Sequence, residues 1–500
     1  MRGIMIQGTS SDAGKSFLVT GLCRMLSDMG IKVCPFKSQN MSNNSCVTWD
    51  GCEMSRAQAV QAEAARLRPE TFMNPILLKP RRDTSSEIIL DGKVFDAPAE
   101  KDYYRTFTRS HGIAAVRRAL DYINKNFDVI VIEGAGSPAE INLNDSEIVN
   151  MRVAREADVP VLLVTDVDRG GSLASILGTL DILDITGDKE RVKGVVFNKF
   201  RGDPDLFKPA VKWLEDNYKV KTAGVLPYVS GAAIAGEDSL SIKWDNKINA
   251  EIAIGVIRFP SVSNFTDLDA LDFESDISLI GIDEDTPDKL FNNLDAVILP
   301  GSKNSMRDMA WLAKTGLAEK IKNLYNRGCF VLGLCGGYQM LGERLCDPDL
   351  RENSELKEIN GLGLLPCETD FISQDKRTAL VSGSFNFDNK IKVTGYEIHF
   401  GRTKILEQEN NLGVKSLFEI DGRSEGAARK DLSAAGTYLH GVLDNDEFRA
   451  YWLNRIRLAR GFSERKFIDT RAIKDKAYNL LAEAMRENLD MKFIFNLMGI

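Results

Sequence analysis

Residues 3–16 read Gly-Ile-Met-Ile-Gln-Gly-Thr-Ser-Ser-Asp-Ala-Gly-Lys-Ser. A short apolar run stops at Gly8, and a helical pattern extends from Ser16 to Met29. A strand that ends in glycine and opens a helix through Gly14, Lys15 and Ser16 has the chemistry of a phosphate loop. Backbone N–H groups of the turn and of the helix N-terminus converge on an anion. Lysine adds charge at the outer phosphates, and the serine hydroxyl can ligate Mg²⁺. The spacing departs from the common form of such loops. Five residues separate Gly8 from Gly14, and Thr9 stands where a glycine is usual.

Working outward, further β-rich runs occur at Ile31–Phe36, Val129–Glu133, Val161–Asp166 and Val192–Asn198. Helical patterns at Ser55–Leu67 and Gly112–Asn124 lie between them. Short apolar strands alternating with helices predict a parallel sheet covered on both faces. In such sheets the carboxyl ends of the strands face the ligand. Glu133 ends a buried strand and is followed by Gly-Ala-Gly, so it is placed to hold Mg²⁺ together with Ser16. Asp166 and Asp168 repeat the strand-to-acid pattern, and surface and functional readings are equal for them. Asn198 closes another strand, where an amide can meet a base edge. Lys37 follows the second strand and can meet a transferring phosphoryl group or a substrate carboxylate. The expected nucleotide set is therefore Gly8, Thr9, Gly14, Lys15, Ser16, Lys37, Glu133 and Asn198, with ATP as ligand and Ser16 and Glu133 toward Mg²⁺.

The pattern lapses across residues 231–250, which are polar and rich in small residues, and restarts with a new first strand at Glu251–Arg258. Strands follow at Ala296–Pro300, Phe330–Leu334, Val393–Phe400 and Gly436–His440. Beyond them, Trp452, Leu453, Ile456, Leu480, Leu481 and Met485 mark helices. The expected organisation is an α/β chain with two doubly wound parallel-sheet domains, at 1–230 and 251–445. A linker at 231–250 joins them, and a helical extension spans 446–500.

The second domain carries Phe330-Val-Leu-Gly-Leu-Cys335-Gly-Gly-Tyr-Gln, a cysteine in a strand-to-helix turn of the nucleophile-elbow kind. Flanking glycines permit the strained turn, and the helix N-terminus favours thiolate. The N–H of Gly336 is placed to receive an oxyanion, and a second donor can come from the Pro300-Gly301-Ser turn. The chain holds only three histidines, His111, His399 and His440. His111 belongs to the first domain and reads as a surface or helix-start residue. His399 and His440 both lie at strand ends and compete as the base for Cys335. A zinc site of clustered histidines is excluded.

Composition bounds the rest. The 72 acidic side chains outnumber the 64 basic ones, for a net charge of −8, and no basic block occurs. Nucleic acid and anionic membrane are therefore not expected partners. The eight cysteines show no CxxC spacing and no pattern of a small disulfide-bonded domain. No apolar run approaches the ~20 residues that span a bilayer, and the first residues lack the apolar core of a signal peptide. A soluble protein of a reducing cytoplasm is expected.

Several stretches also resemble known families. Gly8–Ser16 is similar to the loop of the dethiobiotin-synthetase type of ATP-dependent carboxylate-activating enzymes. Pro35–Asn44, Glu53–Gln58 and Met73–Pro80 resemble the cobyric acid synthases, the amidase-coupled enzymes of cobalamin synthesis. The wider superfamily often places an Asp metal ligand after the second strand, where this chain has Lys37-Ser-Gln39-Asn40. The elbow, the Gly301 turn and Tyr438-Leu-His440-Gly resemble class I glutamine amidotransferases, in which cysteine attacks the glutamine amide and histidine relays the proton. That resemblance implies His440, not His399, as the base. The acid that many of these enzymes carry two residues after the histidine is replaced here by Val442. Gly395–Arg402 resembles the cobyrinate-amidating branch and reads as substrate or interface structure.

The resemblance implies a P-loop NTPase-like domain joined to a glutamine amidotransferase-like domain. It implies ATP and Mg²⁺ as cofactors, no tightly bound prosthetic group, and glutamine and a corrinoid polycarboxylate as substrates. ATP would activate a carboxylate as an acyl phosphate, and ammonia from glutamine would displace phosphate, with a route for ammonia shielded from water. By the same resemblance the acceptor is adenosylcobyrinic acid a,c-diamide, amidated at b, d, e and g. Residue chemistry alone reaches carboxylate amidation. Two alternatives stand beside it: a cobyrinic acid a,c-diamide synthase, and a ParA-like ATPase fused to an inactive amidotransferase domain. The Gln39–Ser45 and Glu53–Gln58 stretches favour the first reading, and the Cys335/His440 pair disfavours the last.

Overall fold

The computed structural model describes all residues except 83–84, 96–105, 144–146, 232–249, 353–354, 372–375 and 407–412. Almost all of the expected linker at 231–250 thus lies outside the described residues. The chain divides into two compact units. One comprises Met1–Ser42, Cys52–Ala235 and Arg471–Ile500, and the other Asn43–Gly51 and Gly236–Thr470.

In the first unit six parallel strands lie in the order Lys221–Pro227, Val192–Phe200, Val161–Asp166, Gly3–Gly8, Val129–Glu133, Val33–Phe36. Gly3–Gly8 is near the centre and is buried at every position, which is why its sequence, Gln7 apart, is apolar rather than alternating. The helix Lys15–Asp28 leaves its carboxyl end and buries Leu18, Leu22, Met25 and Leu26 at helical spacing. A separate four-stranded sheet, Gln39–Met41, Ile76–Arg82, Ser85–Leu90 and Lys93–Phe95, went unread in the sequence.

The last residues of the chain complete this unit. Leu481, Met485, Leu489, Ile494 and Met498 share one core with Leu18, Leu22 and Met25. Arg24, almost fully buried, pairs with Asp475. Burying such side chains contributes roughly 1.5–3 kcal/mol each, so the first unit depends on a helical segment that the sequence presents as a mere tail.

In the second unit seven strands lie in the order Ile277–Ile282, Ile252–Ile257, Ala296–Leu299, Phe330–Leu334, Ala434–Thr437, Ala427–Arg429, Val414–Lys415. The first five are parallel and the last two antiparallel. The helix Asp446–Ala459 packs Phe448, Trp452, Leu453 and Ile456 into the core of this sheet. The helical stretch expected over 446–500 is therefore shared out between the two units. Arg449 and Arg457 on Asp446–Ala459 are buried and paired, at 2.9 Å from Glu274 Oε1 and 2.8 Å from Asp276 Oδ2.

One expected strand belongs elsewhere. All of Val393–Phe400 but its last residue lies in the strand Asp388–His399, which pairs antiparallel with Arg377–Phe385 in a four-stranded sheet. Its side chains alternate between cover and solvent over Lys390–Thr394, the signature of a sheet with one wet face. The strand before His440 ends at Thr437, and His440 lies beyond it, bridged through its backbone to Tyr396 at the entry to the turn that follows. Among the described residues no helix is long and apolar enough to cross a membrane.

Candidate active sites

The loop Gly8–Ser16 crosses the carboxyl end of the first unit's sheet. Thr9 N–H donates to Val164 O at 2.9 Å, and its hydroxyl meets that of Thr165 at 3.1 Å. Gly14 has φ 107°, and a Cβ there would meet Asn198 Nδ2 at 1.9 Å, so only glycine fits. Asn198 Nδ2 donates to Ala13 O at 3.0 Å. Lys15 Nζ folds onto the loop, donating to Ser10 O and Gly136 O at 3.0 Å each.

Glu133 is fully buried. Its Oε1 accepts from Ser16 Oγ at 2.8 Å and Lys37 Nζ at 3.0 Å, and its Oε2 from Gln61 Nε2. The structure thus brings Ser16, Lys37 and Glu133 together, and Gly14 and Asn198 together. A hydroxyl and a carboxylate side by side are the hard oxygen donors that suit Mg²⁺. Among the described residues no cluster of three or more His, Cys, Asp and Glu side chains forms an all-protein metal site. Asp166 pairs with Lys199 at 2.8 Å and Asp168 with Arg201 at 3.1 Å.

Gln61 was not singled out from the sequence. It follows Gln58 by three positions on the helix Arg56–Ala64, so the two share a face. The stretches that carried the family resemblance meet here. Asn40 Nδ2 donates to Ser55 Oγ and to Gln58 Oε1, at 2.6 and 3.1 Å. Asn74 accepts from Ser55 N–H at 3.1 Å and donates to Lys37 O at 2.9 Å. Lys79 and Glu53 form a buried ion pair beside them. Through Asn74 this buried network fixes the backbone from which Lys37 projects, while Gln58 Nε2 and Gln61 Oε1 find no hydrogen-bond partner among the described residues.

In the second unit, Cys335 joins Phe330–Leu334 to the short helix Gly336–Leu341. Its φ is 52°, a strained value for a residue with a side chain. The turn closes so tightly that a Cβ at Gly337 would meet Leu299 O at 1.9 Å. Gly336 abuts Ser302, and Gly301 lies beside the His440 ring, so the two glycines expected to line an oxyanion hole flank the same centre. Cys335 N–H donates to Thr437 O at 2.8 Å, tying the elbow to the strand that leads to His440.

His440 is buried, with the Cys335 sulfur close enough to act on its ring, while Cys335 Sγ itself donates to Ile398 O at 3.7 Å. Its Nδ1 lies 2.7 Å from Asp267 Oδ2, and Asp267 Oδ1 accepts from Gly441 N–H at 2.8 Å. Burial alone pushes this imidazole down. The Asp267 carboxylate, with the Cys335 sulfur nearby, outweighs burial and raises it to about 10. Cys335, His440 and Asp267 thus form a connected sulfur–imidazole–carboxylate series, in which a nucleophile, its base and an orienting acid can act together.

Asp267 was missed. It comes from the 3₁₀ run Phe265–Phe273, 173 residues away from His440. The expected place, two residues after the histidine, cannot hold a carboxylate: Val442 points into the hydrophobic core and is fully buried.

His399 stacks on Tyr438 with ring centroids 3.7 Å apart, and its Nδ1 meets Gly401 O at 3.2 Å. Burial pushes it down to about 4, so it is neutral near pH 7. Beside it lies a cavity of about 740 Å³ that Tyr338, His399, Arg402, Glu425 and Tyr438 help to line. His111 is exposed, in the turn before the helix Ile113–Asn126.

Among the described residues none of the eight cysteines forms a disulfide. Burial pushes Cys329 and Cys367 up to about 12, as expected of packing thiols.

A nucleotide loop in one unit and a cysteine–histidine–aspartate centre in the other define a class: an ATP-binding module joined to a glutamine amidotransferase module. The family models agree. Residues 4–242 match the CobQ/CobB/MinD/ParA nucleotide binding domain, and residues 253–448 match the CobB/CobQ-like glutamine amidotransferase domain. The chain is 45% identical over 504 residues to a cobyric acid synthase of Clostridium tetani, covering 99% of each. It is 42% identical over 503 residues to a cobyric acid synthase of Clostridium acetobutylicum, covering 100% of this chain and 99% of that one. The chain belongs to the cobyric acid synthase family.

Proposed function

We propose that this chain is a glutamine-dependent amide ligase that amidates the b, d, e and g carboxylates of adenosylcobyrinic acid a,c-diamide, giving adenosylcobyric acid, in the cytoplasm. The observation that carries the reading is the presence of both halves of the chemistry in one chain: Lys15, Ser16, Lys37 and Glu133 in one unit, and Cys335, His440 and Asp267 in the other.

At the cysteine centre, His440 takes the proton of the Cys335 sulfur. The thiolate attacks the glutamine carboxamide carbon, the N–H groups near Gly301 and Gly336 receive the oxyanion, and His440 gives its proton to the departing ammonia. Water, deprotonated by His440, then cleaves the thioester to glutamate. Asp267 holds the ring in the tautomer and orientation that both steps need. At the loop, Lys15 and the backbone N–H groups bind the ATP phosphates, with Thr9, Gly14 and Asn198 shaping the nucleotide site. Ser16 and Glu133 would hold Mg²⁺, which neutralises charge on the transferred phosphoryl group. Lys37, now tied to Glu133, is placed to meet that group or the acceptor carboxylate. Each amide formed consumes one ATP and one glutamine with one water, and releases ADP, phosphate and glutamate.

The test is the product mass after incubation with the diamide corrinoid, ATP, Mg²⁺ and glutamine. Four added amides are expected. Conversion confined to cobyrinic acid, with two added amides, overturns the substrate assignment. Cys335→Ala is expected to lose amidation driven by glutamine and to keep amidation driven by ammonia, whereas Lys15→Ala loses both.

A further inference from the structure

Asn264 stands one residue before the run that carries Asp267, at φ 49°, and is almost fully buried. Its backbone N–H donates to Asn43 O at 3.3 Å. Its Oδ1 accepts from Ser45 N–H at 3.1 Å. Because a backbone donor occupies Oδ1, the amide orientation is fixed by hydrogen bonding, and the NH₂ group must point the other way. It points at His440, with Nδ2 at 3.2 Å from Nε2 and 3.4 Å from Nδ1. A donor in the plane of an imidazole can approach one nitrogen only. Near-equal distances to both put this NH₂ over the ring face. Tyr396 also stacks on the ring, with centroids 5.2 Å apart and planes 19° apart.

We propose that Asn264 is a positioning residue for His440, oriented in turn by Ser45. The inference rests on the reading of Cys335 and His440 as a glutaminase centre. Asp267 holds the ring by its edge, through Nδ1. Asn264 packs against its face, and so limits rotation that would carry Nε2 away from the sulfur. The stretch that orients Asn264, Asn43–Gly51, belongs to the second unit although the chain on both sides of it, Met1–Ser42 and from Cys52 onward, belongs to the first. Its upstream neighbour Lys37 is bonded to Glu133 at the phosphate loop. The orientation of the base therefore depends on a segment directly continuous with the lysine of the ATP site.

The experiment compares Asn264→Gly and Asn264→Asp in the full chain. Glycine removes the amide and accepts the positive φ without strain. Aspartate keeps the acceptor for Ser45 N–H and replaces the donor on the ring face by negative charge. With glutamine as nitrogen source, Asn264→Gly is expected to lower kcat by about ten- to a hundredfold, the size of loss that misplacement of a catalytic group produces. KM for glutamine is expected to change less than about twofold. Ser45→Pro, which removes the orienting N–H, is expected to lower kcat in the same way. Amidation driven by ammonia is expected to persist in all three.

The second readout is ¹⁵N-histidine NMR, practical because the chain has three histidines. The positive edge of the amide disfavours imidazolium, so the His440 titration should move to higher pH in both Asn264 variants, further in Asp than in Gly. Unchanged kcat and an unchanged titration in Asn264→Gly overturn the proposal. A parallel loss of ammonia-driven amidation also overturns it, because the residue would then be structural. A loss in Asn264→Gly without one in Ser45→Pro overturns the part assigned to Ser45. The glutaminase reading itself fails on a different result, full glutamine-driven activity in Cys335→Ala.

Discussion

His440 is buried and His399 half-buried in the second unit, and their surroundings drive them in opposite directions. His440 faces a carboxylate at 2.7 Å and a sulfur, and is raised to about 10. His399 faces a backbone carbonyl and a tyrosine ring, and burial lowers it to about 4. Glu397 pulls the other way on His399, but it is already neutralised by Arg377 and Arg423. Burial penalises both imidazoles, so the difference lies in whether an unneutralised anion accompanies the ring. One is built to carry a proton near pH 7 and the other to remain an uncharged acceptor.

The comparison is broken most sharply by exchanging what surrounds the rings. His440→Ala is expected to lower glutamine-driven amidation by on the order of 10⁴–10⁶, with amidation driven by ammonia retained. Equal losses in His440→Ala and His399→Ala, measured by glutamate release, would erase the distinction. Asp267→Asn removes the anion while keeping the shape. The expected loss of glutamate release is on the order of 10²–10⁴, with the His440 titration moving down toward the ordinary histidine value. An unmoved titration would mean that Asp267 does not set the charge on the ring.

The two histidines also separate what a sequence displays from what it hides. The phosphate loop is contiguous, and Glu133 and Asn198 are legible because an apolar strand announces its own carboxyl end. Cys335 is legible for the same reason, with glycines that no ordinary packing cysteine requires. Asp267 is invisible because it is joined to His440 only through the fold, and no fixed spacing connects a 3₁₀ run to a turn 173 residues away. On sequence, His399 and His440 were equal strand-end residues; the fold distinguishes them because Asp388–His399 pairs antiparallel, outside the parallel sheet. The final helices posed the same problem at larger scale. Their apolar faces were plain in Leu481 and Met485, but an apolar face does not name its core, and theirs belongs to the first unit. Deleting residues 471–500 is expected to unfold that unit, with loss of ATP binding by calorimetry, since several buried side chains at roughly 1.5–3 kcal/mol each rival the stability of a whole domain.

The smallest effect is the sharpest discriminator. A raised folded-state pKa means that His440 binds its proton more tightly in the folded chain. Its stabilising contribution is complete below about 6.5 and is lost as pH rises through about 10. His399 has the opposite sign: folded, it resists protonation, and its contribution is present above about 6.5 and lost as pH falls toward about 4. His399→Phe keeps an aromatic ring against Tyr438 and removes the titrating group. Glutamine-driven kcat should then fall by less than about tenfold, since His440, the ring proposed to exchange protons with substrate, is untouched. The unfolding midpoint of the variant should depend less on pH between 6.5 and 4 than that of the parent chain, and equally between 6.5 and 10. A variant whose acid limb is as steep as the parent's would show that His399 is not held neutral by its burial, and the contrast between the two imidazoles would then rest on His440 alone.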